Sequence, residues 1–157
     1  MTPTAGGYSR LDDPEEDAME TTVRDVMTRQ PVTCEVSTTI EAAARLMRDH
    51  DIGDVLVCDG ETLRGIVTDR DIVVRCIAGG VDPSRSTLGD VCTGGVLAVG
   101  PDTTTDDAAR TMRESAIRRL PVVEGGRAIG IVSLGDLAVE HDPDSVLADI
   151  SAAEPNL

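Results

Sequence analysis

Residues 22 to 72 align with residues 87 to 137 at a constant offset of 65, without a gap, and 18 of the 51 positions are identical. The matches include Asp25 with Asp90, Val26 with Val91, Ile52 with Ile117 and Gly60 with Gly125, and the segment AAR-x-MR recurs at 43–48 and 108–113. GIVTDRD at 65–71 returns as GIVSLGD at 130–136, so a hydroxyl followed three residues later by Asp closes the motif both times. A small unit written twice cannot bury its apolar face alone. Two copies are too few for a solenoid, and the expected solution is a pair packed face to face about an approximate two-fold axis.

Each copy reads as β-α-β-β-α. In the first, VTCEV (32–36) is a short β-prone run. The helical segment that follows sets Ile40, Ala43, Ala44 and Met47 on one face, behind a Thr38-x-x-Glu41 capping box and before a stop at Gly53. Residues 54–68 form two apolar runs around Asp59-Gly60, the signal of an antiparallel hairpin, and 68–80 close the unit as a second helix. The second copy repeats the plan with a strand at VLAV (96–99), a helix burying Ala108, Ala109 and Met112, a hairpin over 118–133 and a helix from Ser133. A right-handed crossover makes the first two strands of each unit parallel, and the hairpin makes the third antiparallel. The fold class is α+β, with two three-stranded mixed sheets. The chain divides into an acidic tail (1–20), a first unit (21–80), a linker (81–86), a second unit (87–140) and an acidic C-terminal tail (141–157).

Composition limits what such a pair can do. There is no Phe or Trp and only Tyr8, so the core is aliphatic, built from Val, Ile, Leu, Ala and Met. No run approaches the ~20 apolar residues of a membrane span, and the N-terminus has neither the basic start nor the apolar stretch of a signal peptide. The expectation is a cytoplasmic protein away from the membrane. Residues 1–20 hold six acids against Arg10, and residues 139–157 hold five acids and no base, so the ends supply ten of the net charge of −15. So acidic a chain repels nucleic acid, and its ends read as disordered and solubilising.

DVMT at 25–28, TIEAAARLMRDHDIG at 39–53, RRLPVV at 118–123 and the paired Gly-apolar-apolar-Thr/Ser-x-x-Asp endings carry a resemblance to a pair of cystathionine-β-synthase (CBS) domains. It covers about residues 21 to 140. Within that family, HDIG, TDRDIV and the following G-x-DP are similar to stand-alone actinobacterial pairs of the hypoxic-response type. What the resemblance implies is a tandem pair of sheets about a pseudo-two-fold axis, joined with a second copy into a homodimer.

Thr68 with Asp71, and Ser133 with Asp136, have the spacing of a helix capping box, which would exist without any ligand. The other reading is that a strand delivers the hydroxyl to a helix N-terminus, where free N–H groups favour phosphate. The resemblance implies that these two pairs hold the phosphoribosyl part of an adenosine ligand, such as AMP, ADP, ATP, S-adenosylmethionine or a nicotinamide dinucleotide. By the same resemblance Val32, Thr33, Leu97 and Ala98 line the base. Arg70, Arg118 and Arg119, with Pro121 beside the last two, could meet phosphates through charge-assisted hydrogen bonds or stand as solvated surface side chains. In the first copy Gly53-Asp54 replaces Arg118-Arg119, so the two clefts are expected to bind unequally.

No Ser-His-Asp set, metal-ligand cluster, phosphate loop or dinucleotide fingerprint is present, and the expectation is a non-enzyme that needs no cofactor or metal and signals through a protein partner. The alternative is a homodimeric structural or interaction protein. Cys34 and Cys58 would fall on neighbouring parallel strands, where a disulfide could act as a redox gate.

Overall fold

The computed structural model describes residues 20–92 and 94–154. The expected N-terminal tail lies, but for Glu20, outside the described residues.

The first sheet has the order β2-β3-β4, from β2 (Thr33–Glu35), β3 (Asp54–Asp59) and β4 (Thr62–Thr68). β2 runs parallel to β3, and β3 antiparallel to β4, as the crossover and hairpin require. Between β2 and β3 runs α2 (Ile40–His50), which buries Ile40, Ala43 and Met47. Its cap differs from the expected box: Thr39, one residue later than Thr38, accepts a hydrogen bond from the Ala42 N–H at 3.2 Å. The Thr38 carbonyl accepts from the Leu88 N–H at 2.8 Å. The helix stops at Asp51 rather than Gly53, with Asp51 left-handed at φ 52°, a conformation that Asp tolerates. The second helix of this unit is a short α3 (Asp69–Asp71) followed by a π-helical run, Ile72–Ile77.

The second sheet has the order β1-β6-β5 and departs from the expectation. Its hairpin is β5 (Arg119–Glu124) with β6 (Arg127–Ser133), but residues 96–99 do not form a strand. Val99 alone bridges to Val122, held by two backbone hydrogen bonds of 3.0 and 2.9 Å between Gly94-Gly95 and Gly100-Pro101, which limit regular pairing. The third strand is instead β1 (Thr28–Arg29), from the first copy, antiparallel to the free edge of β6. Gly130 lets it approach: a Cβ there would lie 2.4 Å from Met27 Sδ and 3.0 Å from the Thr28 carbonyl oxygen.

That crossing belongs to an exchange of segments. α1 (Val23–Val26) precedes β1, and Val23 and Met27 are buried in the second core with Ala108 and Met112 of α5 (Thr105–Ser115), Leu120, Val122, Val132 and Leu137 of α6 (Leu134–His141). Conversely, α4 (Leu88–Val91) opens the second copy but buries Leu88 and Val91 in the first core, against Ile40, Met47, Val55, Val57, Val67 and Cys76. Each aliphatic core is completed by the other copy. Residues 81–86 connect the two while hydrogen bonding to the start of α2, Ser86 and Pro83 carbonyls accepting from Ile40 and Glu41.

The C-terminal segment is ordered where a disordered tail was expected. Ser145 caps α7 (Val146–Ala152), accepting from the Ala148 N–H at 3.1 Å. α7 lies on α6 through Ala148, 2% exposed, and through Ser151. A Cβ on Gly135 would stand 2.6 Å from Ser151 Oγ, so the contact depends on two small residues.

Candidate functional site

Both hydroxyl–carboxylate pairs form the capping box. The Thr68 N–H and Oγ1–H donate to Asp71 Oδ2 at 2.9 and 2.8 Å, and the Asp71 N–H donates back to Thr68 Oγ1 at 3.2 Å. Ser133 and Asp136 repeat the arrangement at 2.7, 2.8 and 3.2 Å. The other oxygen of Asp71 faces the Arg75 guanidinium at 3.6 Å, a half-exposed contact. The box fixes where each carboxylate points.

Around the first pair, Thr68, Asp71, Asp69 and Arg70 from the end of β4 and α3 meet Ala116, Ile117, Arg118 and Arg119 of the second copy in an open cavity of about 710 Å³, which Ile66 also lines. An adjoining cavity of about 330 Å³ shares Ile66, Ile117 and Arg119 and adds Leu97 and Pro121. Ser133 and Asp136 line a smaller cavity of about 400 Å³, again with Arg118 and Arg119, and with Ser151 of α7. Val32, Thr33 and Ala98 line none of the three. Val32 instead packs half-buried on the first core, its carbonyl accepting from the Leu56 N–H, and Thr33 enters the sheet opposite Leu56.

The mismatch of acid and base between the copies has a structural outcome. Asp54 and Arg119 occupy equivalent positions of the repeat and meet at the pseudo-axis, Arg119 Nε to Asp54 Oδ2 at 2.6 Å. Burial pushes the Asp54 carboxyl above the usual range, opposed by Arg119 and reinforced by Asp69. The sequence showed both residues, 65 apart, but not that equivalent positions would touch. At the turn ends of the two hairpins, Arg127 and Glu61 form a second ion pair between them.

Cys34 and Cys58 are unbonded thiols, so the disulfide considered for them is not formed in this structure. The register sets Cys34 opposite Val57 and Cys58 opposite Glu35, and burial pushes both thiols up, which keeps the reactive thiolate scarce. Among the described residues no group of three His, Cys, Asp or Glu side chains is placed to hold a metal ion, and no helix is long and apolar enough to cross a membrane.

The family model of the CBS domain matches twice, over residues 23–77 and 88–140. The chain belongs to the CBS domain family. Hypoxic response protein 1 of Mycobacterium tuberculosis is 35% identical over 134 residues, covering 85% of this chain and 93% of that protein. The crystal structure of Hypoxic Response Protein I with two coordinated zinc ions superposes with a TM-score of 0.71 at 37% identity, over 77% of this chain and 98% of that one. The CBS domain pair of protein MJ0100, in complex with 5′-methylthioadenosine and S-adenosyl-L-methionine, gives a TM-score of 0.71 at 26% identity, over 80% of this chain and 99% of that one. CBS pairs are regulatory ligand-binding modules, and this CBS protein is regulatory rather than catalytic.

Proposed function

We propose that this CBS pair senses an adenosine-containing ligand, an adenine nucleotide or a molecule of the S-adenosylmethionine or NAD type, in the cleft at Thr68 and Asp71. The observation that carries this reading is the convergence, in one cavity, of Thr68, Asp71 and Arg70 from one copy with Arg118 and Arg119 from the other. Its volume of about 710 Å³ is within the range of small-molecule sites. The purine would lie between the aliphatic side chains of Ile66, Ile117 and Leu97, against Pro121. Asp71 would accept hydrogen bonds from ribose hydroxyls, and the arginines would make charge-assisted bonds to phosphate. The ligands in the name of the MJ0100 pair, both adenosine derivatives, support the class.

Occupancy would be relayed to a protein partner in the cytoplasm. Val73 and Ile77, each 58% exposed, and Val74 beside them give the π-helical run an apolar outer face suited to pairing two copies into a homodimer. Ile72, at the start of the same run, is buried in the first core. The same surface favours the second reading, an interaction protein whose clefts stay empty.

Thermal unfolding with AMP, ADP, ATP, S-adenosylmethionine and NAD separates the readings. A ligand at one hundred times its Kd adds about 2.7 kcal/mol to stability, which for a chain of this size raises Tm by about 5–10 °C. Relative to each ligand-free melt, Asp71→Ala is expected to lose most of that shift and Asp136→Ala to keep it. No shift with any of the five ligands would leave only the interaction protein.

A further inference from the structure

A symmetric pair of copies would place an equivalent of Arg118-Arg119 at each cleft, and this chain has one such pair for both, with Arg70 in the first cavity besides. Arg118-Arg119 of the second copy correspond to Gly53-Asp54 of the first. Arg118 and Arg119 each line the Thr68–Asp71 cavity and the Ser133–Asp136 cavity. Asp54 stands where the second cation would be and holds Arg119 at 2.6 Å, its own side chain only 17% exposed and that of Arg119 39%. Gly53 keeps the space beside them narrow, since a Cβ there would come 3.2 Å from Asp69 Oδ2 and 3.6 Å from Arg119 Nη2. The guanidinium that lines both cavities is therefore held by a half-buried acid.

We propose that Arg119 is one anion ligand shared by the two clefts, so that a phosphate bound in one withdraws the cation the other needs and each chain holds one phosphate-bearing ligand at a time. A planar guanidinium directs its donors in a fixed fork, and with Nε on Asp54 one two-donor edge is left for a phosphate. Turning toward a phosphate also uncovers Asp54, and a second anion then meets two like charges. A single uncompensated charge about 10 Å away at a protein surface weakens binding on the order of tenfold. The proposal rests on the nucleotide reading for its ligand, but its premise concerns any phosphate.

Two probes keep these apart. The full chain is titrated with ADP by calorimetry, and the Arg119 Nε–H resonance is followed by ¹⁵N NMR as inorganic pyrophosphate is added. The expected results are one ADP per chain, a pyrophosphate-induced shift of the Arg119 resonance, and one weaker ADP in Asp71→Ala, where the second cleft is relieved of its competitor. In Asp54→Asn/Arg119→Gln, a neutral hydrogen-bonding pair that keeps the fold, ADP binding should weaken at least tenfold. Two independent ADP sites in the wild type would overturn the proposal while leaving the nucleotide reading intact. So would loss of all ADP binding in Asp71→Ala. Absence of ADP binding with a shifted Arg119 would remove the nucleotide reading and leave the shared cation. An Arg119 resonance unmoved by saturating pyrophosphate would refute the shared cation outright.

Discussion

Asp71 and Asp136 each close a cap as well as facing a cleft, and the two duties separate in experiment. Replacing either by Ala removes the acceptor for two donors at the start of its helix. Ligand-free stability should fall by about 1 kcal/mol in each variant, measured by urea unfolding, whereas only Asp71→Ala should lose most of the ligand-induced shift. Asp54 carries a pH signature. Its folded carboxyl is held above the usual range by burial, so the native state binds more protons than the unfolded state in the window between the two values. Its contribution is therefore largest at low pH and declines as pH rises through that window. The stability of wild type minus Asp54→Asn should fall across it in urea titrations at successive pH values, and a difference that rises would show the carboxyl to be depressed instead.

At the level of elements, the small-residue contact between α6 and α7 gives a direct test. Gly135→Val drives a side chain into the space of Ser151, so α7 should separate, with a loss of about 1–3 kcal/mol and faster amide exchange at Ala148 to Ile150. Unchanged exchange there would mean α7 docks by other contacts. The hairpins were legible because Gly60, Gly125 and Gly126 mark turns with positive φ of 59, 58 and 84° between apolar runs. The cleft pairs were legible because a hydroxyl three residues before an acid has one local geometry. α7 was not, because acids and Pro143 suggested a solvated tail, although Ser145 ahead of Val146, Leu147 and Ile150 carried a helix start. Nor was β1 legible: two polar residues, Thr28 and Arg29, have no alternation, and their strand exists only because Gly130 opens the β6 edge. Leu97 and Pro121 line a cavity, whereas Val32, Thr33 and Ala98 line none of the three described, because repeat position does not say which side of a strand faces the cavity.

For the molecule as a whole, a gapless alignment locates a repeat but not where one folded unit ends, so the exchange of α1 and α4 could not be seen in the sequence. Its consequence is cooperativity. Leu88, fully buried in the first core though it belongs to the second copy, should cost about 2–5 kcal/mol when replaced by Ala, and the whole chain should still unfold in a single transition. Separate melting of two halves would contradict the exchange. The same interlocking brings the arginines of one copy to the hydroxyl and acid of the other. The most direct test of that cleft is ¹⁵N chemical-shift mapping of the full chain during titration with ADP. The account predicts saturable shifts at the amides of Thr68, Asp71, Ile117, Arg118 and Arg119 together. Saturable shifts confined to one copy, or none at these residues, would contradict it.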